Sequence, residues 1–344
     1  MRKLATIRRI DELVLIEGAD AIVMVKIDGW ECVALKEEFS VGDLCVYFEI
    51  DSLIPMSPAV EHLRNRAFKK MGDKEGIRIK TIRLRGQLSQ GLALPLSKFG
   101  IQAALGDDVS DVLGVVKYEL PIPSELAGQV RGDFPRFIPK TDEERCQNIV
   151  RKIFEENADA RYEVSMKMDG TSFTGFHVDG EQGVCGRNWE QVISADNPNK
   201  LVRTYMDSKL GAILHELSLN YAIQGELMGP GIQQNREGLE AHRLFIFKMY
   251  HISECRYLTP KERHDVLANL YAAGLDRKMV EHVPVLSMGV TLAELGITNI
   301  KELLAFAEGP SLNHSVREGL VFKRVDGGFS FKVISNAFLL KEKD

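Results

Sequence analysis

The sequence has no apolar run long enough to cross a membrane, and its first residues lack the hydrophobic segment of a signal peptide. Its five cysteines are scattered and form no Cys-x-x-Cys pair, which argues against a zinc site and against a disulfide framework. Low-complexity segments and internal repeats are also missing. We therefore expect a protein of a reducing compartment, the cytoplasm, with no membrane partner.

A strong excess of positive charge is absent as well. The formal net charge is −5, whereas domains that bind nucleic acid indiscriminately are usually basic. The net charge does not exclude a local basic groove, because the electric field that a ligand meets is local. With 344 residues, 44% of them apolar and 27% charged, the chain has the length of two domains and an ordinary globular composition.

The first part of the chain is dominated by short β-strand patterns. Residues 42–51 alternate apolar and polar side chains after a Gly-Asp turn, and residues 23–33 hold two strands around an Asp-Gly turn. The alternation over residues 76–86 slips near Thr81, which predicts a β-bulge. Several short strands at close spacing predict a small barrel over residues 1–125.

One of these strands carries a row of basic side chains. In a small barrel such a row can line a groove for a phosphate backbone. It equally suits a solvated strand that protects the edge of a sheet, and the sequence leaves both interpretations open. The basic residues are Arg78, Lys80, Arg83 and Arg85.

Prolines gather between residues 121 and 139 and predict a domain boundary there. The second domain, residues 126–344, mixes helical and strand patterns, so the predicted fold class is α+β. One helix is predicted after Thr141 or Asp142, either of which can cap it. A longer helix is predicted over residues 201–219 from the period of its apolar side chains.

Residues 163–172 contain Lys167-Met-Asp-Gly170, in which a short apolar run leads to a lysine and an Asp-Gly turn follows. A lysine at a strand end beside a turn can present its amine to a pocket. The pKa of a free lysine amine is about 10.4, so desolvation or nearby positive charge must lower it before the amine can act as a nucleophile. By itself the short pattern more often marks a solvated turn lysine.

Further segments follow Lys167 in order, and together they resemble the motifs of the covalent nucleotidyltransferase superfamily of ATP-dependent ligases and mRNA capping enzymes. Several ordered matches outweigh the interpretation of Lys167 as a solvated turn lysine. After Lys167-Met-Asp-Gly170 the segments are Gly186-Arg187-Asn188, Gln224-Gly225-Glu226-Leu, the strand with Phe247, Glu318-Gly319-Leu-Val-Phe-Lys323, and Phe331-Lys332-Val-Ile.

The N-terminal part adds a narrower resemblance that extends over nearly the whole chain. Asp28-Gly-Trp and residues 41–52, 77–91 and 138–143 resemble the RNA ligase family typified by the Deinococcus and Naegleria enzymes. This resemblance implies an OB-fold β-barrel followed by an adenylyltransferase domain. The second domain would be of the ligase type, unrelated to ATP-grasp, with antiparallel sheets and helices.

The resemblance implies ATP and Mg²⁺ or Mn²⁺ as cofactors, with Lys167 as the nucleophile. Lys323 and Lys332 are the implied contacts of the triphosphate. Many RNA ligases carry Lys-x-Lys at the last motif, but here the residues two positions from Lys332 are Ser330 and Ile334. It stays open which lysine orients the triphosphate, and Lys323 is the candidate to share that role.

The remaining motif residues receive implied roles around the nucleotide. Arg187 and Glu226 would hydrogen-bond the ribose or its neighbours, and Phe247 would stack on adenine, with Phe245 as a rival of the same parity. Carboxylates suit Mg²⁺ or Mn²⁺, directly or through water. The implied metal ligands are Glu318 and Asp169. The implied contacts of RNA on the 3′-OH side are Arg78, Lys80, Arg83 and Arg85.

The implied activity is ATP-dependent sealing of RNA 3′-OH and 5′-phosphate ends or nicks through a lysyl-AMP and an RNA-adenylate. We expect a monomer whose partner is such RNA, a nicked duplex in particular. A capping guanylyltransferase would use GTP instead. A DNA ligase is disfavoured because only 12 residues follow Lys332, too few for a C-terminal OB domain. An RNA-binding protein with a relict transferase domain is disfavoured because Lys167, Glu226, Glu318 and Lys332 are intact.

Overall fold

The computed structural model describes residues 3–84, 87–119 and 128–341. The domain boundary expected at residue 125 and the basic residue Arg85 lie outside these ranges. No helix within them combines the length and the apolar character that crossing a membrane requires.

The chain divides into two compact units, each with its own core. The first contains Met1–Ile122 together with Leu339–Asp344, and the second contains Pro123–Phe338.

The first unit is built almost entirely of short strands in four sheets, with the orders β1-β5-β11, β2-β3-β4, β9-β10 and β12-β6-β8-β7. Their paired strands run antiparallel. The elements are β1 (Ala5–Arg9), β2 (Glu12–Leu15), β3 (Ile22–Ile27), β4 (Trp30–Leu35), β5 (Leu44–Phe48), β6 (Ser52–Pro55), α1 (Arg64–Ala67), β7 (Phe68–Met71), β8 (Lys74–Arg78), β9 (Thr81–Leu84), β10 (Gln87–Gln90), β11 (Leu92–Pro95) and β12 (Val116–Lys117).

The predicted bulge near Thr81 is wrong, because the chain there changes sheets. Strand β8 ends at Arg78 in the four-stranded sheet, and β9 begins at Thr81 in the two-stranded sheet. The change of parity has a simple physical origin. Ile77 and Ile79 are buried in the core, whereas Ile82 is 41% exposed, so the two halves of the segment meet different surroundings.

The second unit contains an eight-stranded sheet, β13-β18-β17-β16-β19-β20-β21 with β22 beside β20, and a five-stranded sheet, β14-β25-β24-β15-β23. Most pairings are antiparallel, and β14–β25 and β20–β22 are parallel. The strands are β13 (Val130–Asp133), β14 (Glu144–Arg145), β15 (Tyr162–Lys167), β16 (Thr171–Val178), β17 (Glu181–Cys185), β18 (Trp189–Gln191), β19 (Tyr221–Met228), β20 (Arg243–His251), β21 (Arg256–Tyr257), β22 (Val280–His282), β23 (Val285–Val290), β24 (Gly319–Arg324) and β25 (Ser330–Ile334). The helices are α2 (Lys200–Asp207), α3 (Leu210–Glu216), α4 (Pro260–Ala272) and α5 (Ile300–Phe306). Helix α6 (Asn336–Lys341) begins in this unit, and its residues from Leu339 onward belong to the first unit.

Two helix predictions need correction. No helix begins at Thr141 or Asp142, since the chain there leads into the short strand β14 and one 3₁₀ turn. The helical part of the predicted segment is confined to a π-helical stretch, Lys152–Glu156, which contains Ile153 and Phe154. The helix predicted over residues 201–219 is two helices, α2 and α3. They are separated at Lys209, whose φ of +61° is a left-handed conformation that an α-helix cannot contain.

The two sheets of the second unit are joined by the turn after Lys167. Strand β15 lies in the five-stranded sheet, and β16, which begins only four residues later at Thr171, lies in the eight-stranded one. A short connection between sheets brings side chains of both to one place. The end of β15 is therefore where a site can form.

Candidate active site

A cavity of about 320 Å³ lies at this join, and residues from both sheets line it. Such concave sites with a few convergent polar groups are where ligands bind. The motif residues that line it are Lys167, Arg187, Glu226, Phe247, Lys323 and Lys332. Motif residues separated by up to 165 positions in the sequence thus line one cavity.

Lys167 is the last residue of β15, and its amine is held by Glu318. The Nζ atom donates a hydrogen bond of 2.6 Å to Glu318 Oε1. The strand register explains this contact, because Lys167 is paired with Gly319 on β24 and Glu318 immediately precedes that residue. The side chains are 28% and 14% exposed respectively, so the ion pair is partly withdrawn from water.

The charges around Lys167 keep its amine protonated in the nucleotide-free protein. Burial lowers the pKa of Lys167, but the carboxylates of Glu318, Glu226 and Asp169 outweigh burial and raise it above the ordinary lysine value. This is opposite to the direction that a nucleophile needs. Ligand binding must therefore change the charge balance before the amine can react.

This charge balance gives a testable pH dependence. A protonated amine does not react with acylating reagents, so in the nucleotide-free protein Lys167 should be acylated only at higher pH than the exposed lysines of the same chain. Glu318→Gln removes a charge that raises the pKa, and the reactivity of Lys167 should then begin at lower pH. Peptide mass spectrometry across a pH series measures both. An unchanged profile in Glu318→Gln would contradict this electrostatic account.

Glu226, a residue of β19, lines the same cavity as Lys167, and its pKa is strongly shifted. Burial, together with the negative charges of Glu318 and Asp169, raises the pKa of Glu226 to about 8, although Lys167 acts in the opposite direction. Its Oε1 atom accepts a hydrogen bond of 3.1 Å from the backbone N–H of Gly170. The carboxyl group is therefore fixed against the turn that follows Lys167.

Two motif glycines are required by close approach of the backbone. A Cβ atom at Gly170 would lie 2.4 Å from the carbonyl oxygen of Leu227, and one at Gly319 would lie 2.1 Å from that of Val333. Both distances are far below van der Waals contact. A side chain at Gly170 would press on β19 and one at Gly319 would press on β25, so each would displace the segment beside Lys167 or Glu318.

The aromatic residue on the cavity wall is Phe247. In the pairing of β19 with β20, Gln224 is opposite Lys248 and Gly225 is opposite Ile246, so Phe247 is the extra residue of a β-bulge. A bulge redirects a side chain, and Phe247 lines the cavity. Phe245 is only 1% exposed and packs in an apolar cluster with Met168 and others. Because Phe245 and Phe247 have the same parity in the strand pattern, the sequence alone could not tell which of them faces the cavity.

Three more basic residues line the cavity. The Nζ atom of Lys332 donates to Asp142 Oδ1 at 3.1 Å, and the guanidinium of Arg187 lies 3.8 Å from Asp142 Oδ2. Lys323 is buried, and its Nζ donates to Ser165 Oγ at 3.2 Å. Burial lowers the pKa of Lys332, and Lys167 lowers it further, while Asp142 opposes them. Both lysines face the cavity from the five-stranded sheet.

The carboxylates beside Lys167 fit a divalent cation. Glu318 Oε2 is buried with no hydrogen-bond partner among the described residues, so one strong ligand atom is available. Within the same residues, Asp169, Glu226 and Glu318 do not bring their ligand atoms to within 4.8 Å of one another. Mg²⁺ ordinarily keeps several waters and takes only one or two carboxylates, so the available Glu318 oxygen is enough to hold such a cation.

The basic strand predicted from the sequence lies in the first unit, where it borders a separate cavity of about 670 Å³. Arg78 donates a hydrogen bond to Asp51 at 3.0 Å and lies over the ring of Tyr118. Its positive charge is therefore paired within the first unit. Lys80 and Arg83 are exposed. The same cavity is lined by two further basic residues that the sequence interpretation did not include, Arg66 and Lys69.

One side of the cavity around Lys167 is formed by a segment that was not predicted to belong to the site. Thr141, Asp142 and Glu143 all line it. They belong to residues 138–143, which resemble the RNA ligase family, but Thr141 and Asp142 were predicted to cap a helix. The sequence feature that pointed to a role in the site was the pair of adjacent carboxylates, Asp142 and Glu143.

Comparison with known proteins agrees with this geometry. A family profile described as an OB-fold domain matches residues 4–96, and one described as RNA ligase matches residues 160–334. Among the curated proteins no significant match is found.

Solved structures extend the similarity to the whole chain. Naegleria gruberi RNA ligase with pyrophosphate is 44% identical, with a TM-score of 0.85 and 100% of both chains covered. A variant of that ligase with ATP and Mn is also 44% identical, with a TM-score of 0.82, 99% of this chain and 98% of that chain. A variant with AMP and Mn has 44% identity, a TM-score of 0.83 and 100% coverage of both chains.

These matches confirm the predicted α+β fold class and the resemblance from which the motif roles were inferred. The first profile covers the strand-rich N-terminal unit, and the second covers every motif from Lys167 to Lys332. The chain belongs to the RNA ligase family and consists of an OB-fold domain followed by an RNA ligase domain.

Proposed function

We propose that this ATP-dependent RNA ligase joins a 3′-OH end to a 5′-phosphate end through an AMP bound to Lys167. One observation carries the proposal: the amine of Lys167 lies in a cavity whose other walls bear an aromatic ring and two lysines. Such a cavity provides a stacking surface for a base and positive charge for phosphates. A relative 44% identical over its full length has been solved with AMP and Mn.

In the first step, Lys167 Nζ gives a proton to solvent and attacks the α-phosphate of ATP. A P–N bond forms, the bond from the α-phosphorus to the bridging oxygen breaks, and pyrophosphate leaves. Lys332 and Lys323 stabilise the negative charge on the leaving phosphates. Arg187 and Glu226 hold the ribose or its neighbours by hydrogen bonds, and Phe247 stacks on adenine.

In the second step, an oxygen of the RNA 5′-phosphate attacks the same phosphorus, the P–N bond breaks, and Lys167 recovers its amine. In the third step, the RNA 3′-OH gives its proton to solvent and attacks the 5′-phosphate; a phosphodiester forms, the pyrophosphate P–O bond to AMP breaks, and AMP leaves. Mg²⁺ or Mn²⁺ held by Glu318 and Asp169 would supply positive charge at the reacting phosphates. A metal held there would also offset the negative charge of the carboxylates that keep Lys167 protonated.

The test is a set of matched RNA substrates that differ only at their ends. Nicked duplexes and single strands carrying a 5′-phosphate and a 3′-OH should be sealed with ATP, and an RNA-adenylate should be visible when the 3′-OH is replaced by 3′-H. Sealing of a 5′-OH end, or of a blocked 3′ end, would contradict the mechanism. Comparing the nick with free ends measures the expected preference for a duplex.

A Phe247→Ala variant should bind ATP on the order of tenfold more weakly, since stacking on an aromatic ring contributes about 1–3 kcal/mol per base. Equilibrium titration with ATP measures the effect. Phe247→Tyr keeps the ring and serves as the matched control, with near-normal affinity. If Phe247→Ala retains the affinity of the parent protein, the base does not stack at this position.

The exposed basic residues of the first unit should contact RNA phosphates on the 3′-OH side. Replacing Lys80 and Arg83 together with Ala is expected to weaken RNA binding and to lower the slope of log Kd against log salt by about one for each lost contact. Lys36→Ala, an exposed lysine outside the cavity, is the control. An unchanged slope in the double variant would favour the alternative of a solvated strand edge.

A further inference from the structure

A buried charged cluster lies behind Lys323, outside the group of residues that line the cavity. Its centre is the pair of Glu163 on β15 and Arg263 on α4, which are 0% and 1% exposed. The Arg263 guanidinium donates to both carboxylate oxygens of Glu163, each at 2.6 Å. A fully buried ion pair is costly to desolvate, and removing one partner strongly destabilises the folded protein because it leaves a buried charge without its counter-ion.

Arg263 occupies a position where a helix ordinarily buries an apolar residue. The buried residues of α4 are Pro260, Arg263, Leu267 and Leu270, which recur at the spacing of one helical face. Its Nε atom donates at 2.9 Å to His282 Nε2, whose other ring nitrogen lies 2.6 Å from the carbonyl oxygen of Val283. The guanidinium is therefore fixed by partners on two strands.

The same region resembles a metal site, but Arg263 fills it. Glu163, His264 and His282 bring one ligand atom each within 4.8 Å of one another. Both Glu163 oxygens and His282 Nε2 already accept hydrogen bonds from Arg263. A cation would have to displace a fixed positive charge, so this arrangement is a cage for the guanidinium.

Lys323 lies directly opposite Glu163 in the register of β15 and β24. Its Nζ atom is 3.6 Å from Glu163 Oε1, longer than an ordinary hydrogen bond. Its hydrogen bond goes to Ser165 Oγ instead. Both carboxylate oxygens of Glu163 are already engaged by Arg263.

We propose that Arg263 is a positioning residue for Lys323: by engaging both oxygens of Glu163, it prevents that carboxylate from drawing the lysine away from the triphosphate. The proposal rests on the role of Lys323 given under the proposed function. Without Arg263, Glu163 would be a buried carboxylate with Lys323 as its nearest lysine, 3.6 Å away; His264, at 3.5 Å, is a cation only when protonated. A tight ion pair would form, and the lysine charge would be withdrawn from the cavity.

The charges that face Lys323 determine how this change would appear in a titration. Burial lowers the pKa of Lys323 to about 8, with Arg263 and Lys248 acting in the same direction and Glu163 and Glu143 opposing them. Removing Arg263 raises the pKa of Lys323, and removing the charge of Glu163 lowers it. A lysine binds phosphate while it is protonated, so ATP affinity should fall as the pH rises through this pKa.

The test measures the Kd of ATP with Mg²⁺ across neutral to alkaline pH in a Lys167→Met background, where no chemistry occurs. Adding Arg263→Met should weaken binding at neutral pH on the order of tenfold and move the alkaline fall in affinity to higher pH. Adding Glu163→Gln to that variant should restore affinity, because the competing carboxylate is gone. Arg263→Lys should lie between the two.

Thermal melting of each variant separates folding from positioning. If Arg263→Met is unfolded, Glu163→Gln alone decides, since it should shift the fall in ATP affinity to lower pH, into the neutral range, while the affinity below that fall stays near that of the parent. Unchanged profiles in folded Arg263→Met, or in Glu163→Gln, would overturn the proposal. If the Lys167→Met parent itself fails to bind ATP, the proposed function falls together with this inference. An intact parent profile with no effect of Arg263 overturns the inference alone.

Discussion

Lys167→Met is expected to abolish both AMP attachment and RNA sealing, with a loss on the order of a thousandfold or more. The reason is chemical: no other amine occupies the position at the end of β15 beside Glu318 among the described residues. Methionine has similar length and cannot form a P–N bond. The measurement is transfer of labelled AMP to protein, followed by sealing of a nicked RNA.

Two controls make the Lys167 result specific. Lys261→Met changes a lysine that is 87% exposed on α4, and it should leave both activities at the parent level. Pre-adenylylated RNA should be sealed by Lys167→Met more readily than ordinary 5′-phosphate RNA, because its ligation needs no lysyl-AMP. Normal sealing of ordinary 5′-phosphate RNA by Lys167→Met would contradict the covalent mechanism.

Glu318→Gln is expected to reduce AMP attachment on the order of a hundredfold or more. The change removes the carboxylate that holds Lys167 in place and the ligand atom most available to a divalent cation. The amide is nearly the same size, so the fold should persist. Rates of AMP attachment at several Mn²⁺ concentrations measure the effect.

The two roles of Glu318 can be separated by a metal titration. If the carboxylate binds the cation, Glu318→Gln should need a higher Mn²⁺ concentration for half-maximal rate, and direct Mn²⁺ binding should weaken. Glu294→Gln, a change at a carboxylate 48% exposed on the surface, is the matched control. A lower rate with an unchanged Mn²⁺ requirement would leave only the role in holding Lys167.

Much of the site could be predicted because it depends on short motifs whose residues are close in sequence to a strand end. Lys167, Glu226, Lys323 and Lys332 were all identified, and all line one cavity. Gly170 could be rationalised only afterwards, because the backbone that excludes a side chain there belongs to Leu227, a distant residue.

Other features depend on contacts that no local pattern encodes. The choice between Phe247 and Phe245 depends on a single bulge in β20. Asp142 was interpreted as a helix cap because its local sequence suits one, yet it bonds Lys332, 190 residues away. The sequence indicates only that the pKa of Lys167 must be lowered before the amine can react; two of the carboxylates that raise it in the nucleotide-free protein, Glu318 and Glu226, are distant in sequence.

The most direct test is to incubate the purified protein with α-labelled ATP or GTP and Mg²⁺ or Mn²⁺, then denature it and map the labelled peptide. We expect AMP attached to Lys167, no GMP adduct, and loss of the label on addition of pyrophosphate. Protein purified with AMP already bound is first treated with pyrophosphate, so that a missing signal is informative. A GMP adduct, an adduct on another residue, or no adduct after that treatment would contradict the account.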